Sequence, residues 1–336
     1  MKLLETFYLG RKMFMPMVSI LWINYNSMHI INIIKESLNS LIHLEYPSYE
    51  IIVVDNGSID GSREAIEEHL KFVGSMQKVK FIKLKRNLGF TGGVNAAYRL
   101  RNAESKYVAI VNNDAIPYPD YLRKLVFFME RHDDVGAVQG IVLKMSDTSK
   151  IDSAGMFIDD TINVYSPFSG KYADILCKPI YVSYVEGTMP LYRVDSIKRS
   201  LKDNNTMYIT AGFAYYLEDV FLSLMFWNQG YRCVVLPVIT GEHYREATTK
   251  KFASQIGLSY YALRNRIALL YMTNSKKKKK VFLKYLRRLF ISKGNFQKRK
   301  IILNALLDGI HLGKELIRKY GIIDIYKAKL FRIPYD

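Results

Sequence analysis

Lys106-Tyr107-Val108-Ala109-Ile110-Val111-Asn112-Asn113-Asp114-Ala115-Ile116-Pro117 is an apolar, β-branched run that stops abruptly at two amides and a carboxylate. The apolar part fits a strand buried on both faces, where Val and Ile dominate and alternation disappears. In open α/β sheets ligands sit beyond the carboxyl ends of the strands. Asn112-Asn113-Asp114 therefore sets a hard oxygen ligand at the rim of a sheet. An Asp in that place can hold a divalent cation, and the cation can hold a diphosphate. The plainer alternative is a strand followed by an Asx-type turn into Pro117.

The chain before this stretch alternates strand and helix. Met17 to Tyr25 is a short apolar run ending in Asn24-Tyr25-Asn26-Ser27. Ile30, Ile33, Ile34, Leu38, Leu41 and Ile42 follow at helical spacing. Glu50 to Asp55 is a second strand that stops at an acid, and Asn56-Gly57-Ser58 turns into a helix over Ser62 to Val73. Val79 to Leu84 is a third strand. Asn87-Leu88-Gly89-Phe90-Thr91-Gly92-Gly93 is a glycine-rich loop that opens a helix through Arg101. After the organising strand a helix is expected from about Pro119 to Arg131. This order predicts a mostly parallel sheet covered on both faces. The polar strand ends, Asn24, Asp55, the Asn87 loop and Asp114, then share one edge. The loop is neither Gly-x-G-x-x-Gly after a first strand nor Gly-x-x-x-x-Gly-Lys-Ser/Thr, so both common phosphate-loop motifs are absent.

The second half changes character. Val135 to Leu143 reads as a strand, and residues 151–185 read as short strands and loops. Glu186 to Arg193 is a turn into an apolar strand. Gly212 to Val220 precedes a helix to about Gln229, with Gly230 as its C′ residue. Tyr231 to Leu236 is a strand followed by Gly241-Glu242-His243, and Ser254 to Tyr271 is helical.

The 336 residues, 49% hydrophobic and 24% charged, describe an ordinary globular chain with room for one large core or two smaller ones. Cys177 and Cys233 lie far apart and in no metal-ligand spacing, which fits a reducing compartment and excludes structural zinc. The first fifteen residues are too short and mixed for a signal peptide, and no run reaches the length of a membrane span. The net charge is +18, and 12 Lys and Arg with no acid lie between Lys276 and Lys300. The basic character belongs to that one segment.

Taken together, the Val54-Asp55-Asn56-Gly57-Ser58 string, the Arg86-Asn87-Leu88-Gly89-Phe90 loop with Asn95, and the strand ending Asn112-Asn113-Asp114 resemble family 2 glycosyltransferases, with the rhamnosyltransferase-like branch most similar. Glu218-Asp219 before a helix ending Asn228-Gln229-Gly230-Tyr231-Arg232, then Pro237, His243 and Arg264-Asn265, continue the resemblance in the same order. It covers roughly residues 17 to 270. It implies a GT-A fold, a nucleotide-sugar donor (UDP-, dTDP- or GDP-linked), Mg²⁺ or Mn²⁺, and inversion at the anomeric carbon. By the resemblance, Asn24 and Tyr25 contact the base and Asp55 binds base or ribose. Asn87 and Gly89 line the nucleotide pocket, with Asn113 beside Asp114. Asp114 matches the last Asp of the Asp-x-Asp signature that holds the metal, His243 a residue near metal and diphosphate, and Asp219 the general base.

The chemistry asks for the same residue types. A departing nucleoside diphosphate carries negative charge that a cation or donors must neutralise. Attack by a sugar hydroxyl needs a carboxylate on the opposite face to take its proton. Read singly, an Asp at a helix start such as Asp219 is more often an N-cap, His243 is equally a satisfied loop histidine, and Asn24-Tyr25 a strand-end turn. Two positions depart from the pattern. Asn112 replaces the first Asp of the signature, which weakens cation binding. Phe221 stands where many relatives have a second acid, which points to a less polar acceptor.

In the basic segment Val281, Phe282, Tyr285, Leu286, Leu289 and Phe290 form one apolar helical face, with Lys284, Arg287 and Arg288 on the other. Such a helix suits an anionic membrane surface, or else packs on the domain with a solvated basic face. Nucleic acid is disfavoured, because the aromatic residues lie on the apolar face rather than among the basic ones. The expected organisation is an N-terminal tail (1–16), a catalytic domain (17–272) with a nucleotide-sugar half (17–131) and an acceptor half (132–272), and a basic helical extension (273–336). The expected activity is transfer to a glycan hydroxyl, the acceptor lipid-linked, at the cytoplasmic, inner face of the cell membrane. The alternatives are a soluble or protein-linked glycan acceptor, a nucleotidyltransferase, and an inactive transferase fold that binds membrane through its tail.

Overall fold

The computed structural model describes residues 15–74, 78–208, 216–245, 256–291 and 296–332. Most of the expected N-terminal tail, the stretch from Gly212 to Tyr215 and the expected helix start at Ser254 lie outside the described residues.

β1 (Val18–Asn24), β2 (Tyr49–Asp55), β3 (Val79–Lys83) and β4 (Tyr107–Asn112) run parallel in the order β4-β1-β2-β3. α1 (Ile31–Ile42), α2 (Ser62–Phe72) and α3 (Gly89–Arg99) connect them. Successive strand residues face opposite sides. Ile20, Trp22, Ile51, Val53, Ala109 and Val111 pack with α1 on one side. Leu21, Ile52, Val54, Val108 and Ile110 pack with Val94, Ala97 and Tyr98 of α3 on the other. This two-sided burial is why the strands read as unbroken apolar runs.

β5 (Ala115–Pro117), α4 (Tyr121–Met129), β6 (Val135–Lys144), β7 (Asp147–Ser153) and the short β8 (Phe157–Ile158), β9 (Val164–Tyr165) and β10 (Ile180–Tyr181) follow. Next come β11 (Leu191–Arg193), α5 (Val194–Leu201), α6 (Glu218–Asn228) and β12 (Arg232–His243). β11 lies antiparallel between β4 and β6, so the two halves expected to meet near residue 131 share one continuous sheet.

β12 is longer than the run to Leu236 suggested. It passes Pro237 through a register shift between Val235 and Ile239, and shifts again before Gly241. A bulge lets a sheet strand carry a proline that cannot donate to the ladder. The extra length brings His243 opposite Ala115 of β5.

The C-terminal region is helical: α7 (Ile256–Met272), α8 (Lys278–Ile291) and α9 (Phe296–Tyr320). α9 lies along α7 at backbone contact, since a Cβ on Gly309 would sit 2.7 Å from the Arg264 carbonyl oxygen. Val281, Tyr285, Ile302, Leu306, Leu312 and Leu316 join the main core. The extension therefore packs on the domain. α8 does not keep its apolar residues on one buried face. Val281 and Tyr285 are buried, while Leu283 and Leu286 are 54% and 43% exposed. The Phe290 side chain lies outside the described residues. No helix among the described residues is long and apolar enough to cross a membrane.

Candidate active site

The four strand ends meet on one edge. Asn24 and Asp55 are paired across β1 and β2, and Asn24 Nδ2 donates to Asp55 Oδ1 at 3.0 Å. The same amide reaches the Ser58 and Ser62 hydroxyl oxygens, and the Ser27 hydroxyl donates to Asn24 Oδ1. Asp55 Oδ2 accepts from the Ser58 N–H at 3.0 Å. Both side chains are fully buried, so Asn24 is spent on holding the Asp55 carboxylate and the loop after β2. Tyr25, next to it, is half-buried. Asn113 Nδ2 reaches Asn24 Oδ1 at 3.4 Å, which ties the end of β4 to the same cluster.

A residue not singled out for a role, Asn56, fastens the glycine-rich loop. Its Nδ2 donates to Asn87 Oδ1 at 3.1 Å and to the Gly89 carbonyl at 3.0 Å, and its Oδ1 accepts from the Leu88 N–H. Asn87 Oδ1 also accepts from the Gly89 N–H at 2.7 Å. Asn95 fixes the far side, bonding the backbone of Met207 and Tyr208. Every side-chain amide of this loop motif is thus an organiser of backbone.

Asp114 sits one turn beyond β4 and is 4% exposed. Its carbonyl accepts from the Tyr244 N–H at 2.9 Å, and α1 props the next residue, since the Ser37 hydroxyl donates to the Ala115 carbonyl at 2.6 Å. Asp114 Oδ1 faces His243 Nε2 at 3.1 Å, and His243 Nδ1 faces Asp152 Oδ2 at 2.8 Å. Burial alone would lower the imidazole pKa, but the two carboxylates outweigh it and push His243 up to about 9. Burial likewise opposes ionisation of Asp152, yet its bonds from His243 and Arg245 hold it below the usual carboxylate value. Arg245 Nε donates to Asp152 Oδ1 at 2.6 Å, and its Nη2 lies 3.2 Å from Glu186 Oε2.

Glu186 leads to the second acid cluster, because its charge is one of those that raise Asp219. Burial pushes both Glu218 and Asp219 above the carboxylate range, and the charge of Asp219 raises Glu218 further. Asp219 Oδ1 accepts from the Val220 N–H at 2.8 Å, while Glu218 Oε2 has no hydrogen-bond partner among the described residues. The turn that delivers the pair is strained. Tyr216 and Leu217 both have left-handed backbones, with φ of 68° and 66°. Asn265 of α7, fully buried, donates Nδ2 to the Tyr216 carbonyl at 2.8 Å, and Arg264 donates to Asn265 Oδ1. Arg264-Asn265 thus holds the turn before Asp219.

Phe221 offers no surface to an acceptor. It is 2% exposed and meets Tyr320 of α9 edge-on, with ring centroids 5.5 Å apart. Its apolar character answers to the packing of the C-terminal helix.

A sequence model described as glycosyl transferase family 2 matches residues 19–201, more than half of the chain. The chain belongs to this family. An uncharacterised glycosyltransferase of Haemophilus influenzae is 33% identical over 123 residues, 37% of this chain and 36% of that protein. A Bacillus subtilis glycosyltransferase named for teichuronic acid biosynthesis is 26% identical over 161 residues, 48% of this chain and 57% of its own. The chain thus spans between a third and somewhat over half of these family members. Among solved structures, S. aureus TarS residues 1–349 in complex with UDP-GlcNAc superposes with a TM-score of 0.56 at 18% identity, covering 93% of this chain and 89% of that one. GalNAc-T7 with UDP, GalNAc and Mn²⁺ gives 0.61 at 12% identity, covering 92% and 59%. A Pyrobaculum calidifontis mannosyltransferase with GDP-Man and Mn²⁺ gives 0.50 at 17% identity, covering 91% and 75%. These likenesses establish the family's GT-A fold for this chain.

Proposed function

We propose that this family member is an inverting glycosyltransferase. It moves a hexosyl or rhamnosyl group from a UDP-, dTDP- or GDP-linked donor to a hydroxyl of a lipid-linked glycan, at the inner face of the cell membrane, in cell-surface polysaccharide or glycoconjugate synthesis. The observation that carries the reading is one connected line of side chains. Asp114, His243, Asp152, Arg245 and Glu186 bond in series, and Glu186 acts on Asp219.

The donor set fits a divalent cation shared with a diphosphate. Among the described residues no group of three or more His, Cys, Asp or Glu could hold a metal by itself. Asp114 Oδ1 and His243 Nε2 converge at the sheet edge, where a cation would displace the proton that the two carboxylates hold on the imidazole, and one or two protein ligands completed by phosphate oxygens is the usual way such ions are held with nucleotides. A cation there would neutralise charge on the leaving diphosphate. Mn²⁺ in two structural neighbours supports the metal, and nucleotide sugars in TarS and the mannosyltransferase support the donor class.

Arg245 adds a fixed positive charge beside that edge. Asn24, Asp55, Tyr25 and the Asn87–Gly89 loop form the base and ribose side. Asp219 takes the proton of the acceptor hydroxyl as its oxygen attacks the anomeric carbon. The carbon–oxygen bond to the diphosphate breaks on the opposite face, which inverts the centre. Its raised pKa suits a base near neutral pH.

The test is release of nucleoside diphosphate from a panel of UDP-, dTDP- and GDP-sugars with Mn²⁺ or Mg²⁺. Turnover of one donor, lost in Asp219→Asn, supports the reading. A well-folded protein that neither binds nor turns over any of them overturns it and leaves an inactive transferase fold.

A further inference from the structure

α8 carries Lys279, Phe282, Leu283 and Leu286 at the i, i+3, i+4, i+7 spacing of one helix face. That face opens on a groove of about 610 Å³ between α8, the ends of α7 and α9, and Ile322. Leu283, Leu286 and Ile322 are 54%, 43% and 68% exposed there. A folded chain does not ordinarily gather large aliphatic side chains around an open groove unless something occupies it. The helix is anchored from its other side, where Val281 and Tyr285 are buried and Arg266 donates to the Tyr285 hydroxyl at 3.1 Å. The open face is therefore presented on a fixed frame.

The charge around the groove selects the occupant. Lys278 and Lys279 lie in its wall, and no acidic residue among the described residues lines it. Lys280 and Arg287 stand next to that face on the helix wheel, and both are exposed. An apolar trough with a cationic rim matches a molecule that is apolar below and anionic at its head.

We propose that this groove is the docking surface for an anionic phospholipid bilayer, with acyl chains against Leu283, Leu286 and Ile322 and headgroup phosphates at Lys278 and Lys279. The surface deepens the reading of a lipid-linked acceptor, on which its purpose rests, and it is a site separate from the transfer centre. Neither Leu283 nor Leu286 belongs to the core cluster behind Asp219. Contact through α8 would hold the domain on the membrane through an element braced against α7.

The test is sedimentation of the full chain with vesicles of phosphatidylglycerol and phosphatidylcholine in equal parts, beside vesicles of phosphatidylcholine alone. The expected result is binding to the first that weakens with salt, and little to the second. Leu283→Gln with Leu286→Gln lowers the partition about tenfold, and Lys279→Gln with Lys280→Gln, both exposed, does the same. Each pair keeps the parent's melting temperature and its turnover of whichever nucleotide sugar the protein accepts. Equal binding to neutral vesicles, no binding to anionic ones, or unchanged binding of the leucine variant overturns the proposal. Turnover is read in the same preparations, so loss of docking with turnover intact strikes this surface alone. Absent turnover with docking intact strikes the transferase reading instead.

Discussion

Asn265 and Tyr216 are joined by a 2.8 Å hydrogen bond from a buried amide to the carbonyl of a left-handed residue, and Asp219 lies three residues beyond that carbonyl. Left-handed backbone at a non-glycine residue costs on the order of 1–3 kcal/mol and survives where the surroundings enforce it. Asn265→Ala removes that hold and leaves the Tyr216 carbonyl short of a donor, a loss of about 1–3 kcal/mol in stability. The expected kinetic result is a kcat lowered roughly 10–100-fold, since small displacements of a reacting group have effects of that size. The nucleotide-induced shift in melting temperature stays at the parent value, which separates a misplaced base from a damaged donor site.

The Glu218–Asp219 pair sets a pH dependence. Both folded-state pKa values lie above the unfolded ones. The base must be ionised to accept a proton, so kcat rises with pH through an apparent value that belongs to the pair. The charge of Glu186 is what acts on Asp219, so Glu186→Gln removes a like charge and moves the rising limb to lower pH. The stability effect has a definite sign. A carboxyl whose folded pKa is raised contributes stability below its unfolded value of about 4.3 and loses it as pH climbs through the folded value. Glu218→Gln therefore gains on the parent between pH 5 and pH 8.5, by about 1–3 kcal/mol. Denaturant melts at the two pH values check it, and an advantage that shrinks with rising pH contradicts it.

Asp152 tests the other end of the line. It holds the His243 Nδ1 and so aims Nε2 at Asp114. Outer partners of this kind are worth about 10–100-fold in metal affinity. Thermal stabilisation by a nucleoside diphosphate with Mn²⁺ reports that affinity by mass action. Asp114→Ala is expected to lose the manganese-dependent part of the shift, whereas Asp152→Asn keeps it but requires about 10–100-fold more Mn²⁺.

The strand-end residues were legible because a parallel sheet puts the carboxyl ends of β1, β2 and β4 on one edge whatever the loops do. Asn24, Asp55 and Asp114 followed from that topology. Asp152, Glu186 and Arg245 were not legible. They come from a region of short strands and register shifts, where burial depends on partners far away in sequence. One signal was present: Arg245 stands two residues after His243, the spacing that puts side chains on the same face of an extended segment. The insertion of β11 between β4 and β6 was hidden too, because three paired residues leave no periodic trace. Arg264-Asn265 could be matched from sequence, but its purpose appears only when the α7 amide is seen under the Tyr216 carbonyl.

Gly57 is expected to tolerate no side chain. Its φ is +77°, and a Cβ would sit 2.6 Å from the Arg86 carbonyl carbon, a backbone atom with nowhere to go. Gly57→Ala forces apart the Asp55 turn and the Asn87 loop, at about 2–4 kcal/mol from strain and overpacking together. Denaturant unfolding measures the loss. Donor turnover falls along with it, because the same two loops carry the Asn56–Asn87 bond.

The C-terminal helix is tied to the chemistry through Gly309. A Cβ there would meet the Arg264 carbonyl oxygen at 2.7 Å and the Ile267 Cβ at 2.8 Å. Arg264 and the adjacent Asn265 are the residues that hold the strained turn before Asp219. Gly309→Val cannot be absorbed without moving α9 away from α7. Overpacking of this kind costs about 1–3 kcal/mol, and part of the displacement passes to Asn265. The expected outcome is a lower melting temperature together with a kcat reduced in the same direction as in Asn265→Ala. Asn304→Ala, on the exposed side of the same helix, changes neither. A Gly309→Val protein that loses stability yet keeps full kcat separates the extension from the site. A parallel loss of both makes α9 a structural part of the catalytic turn.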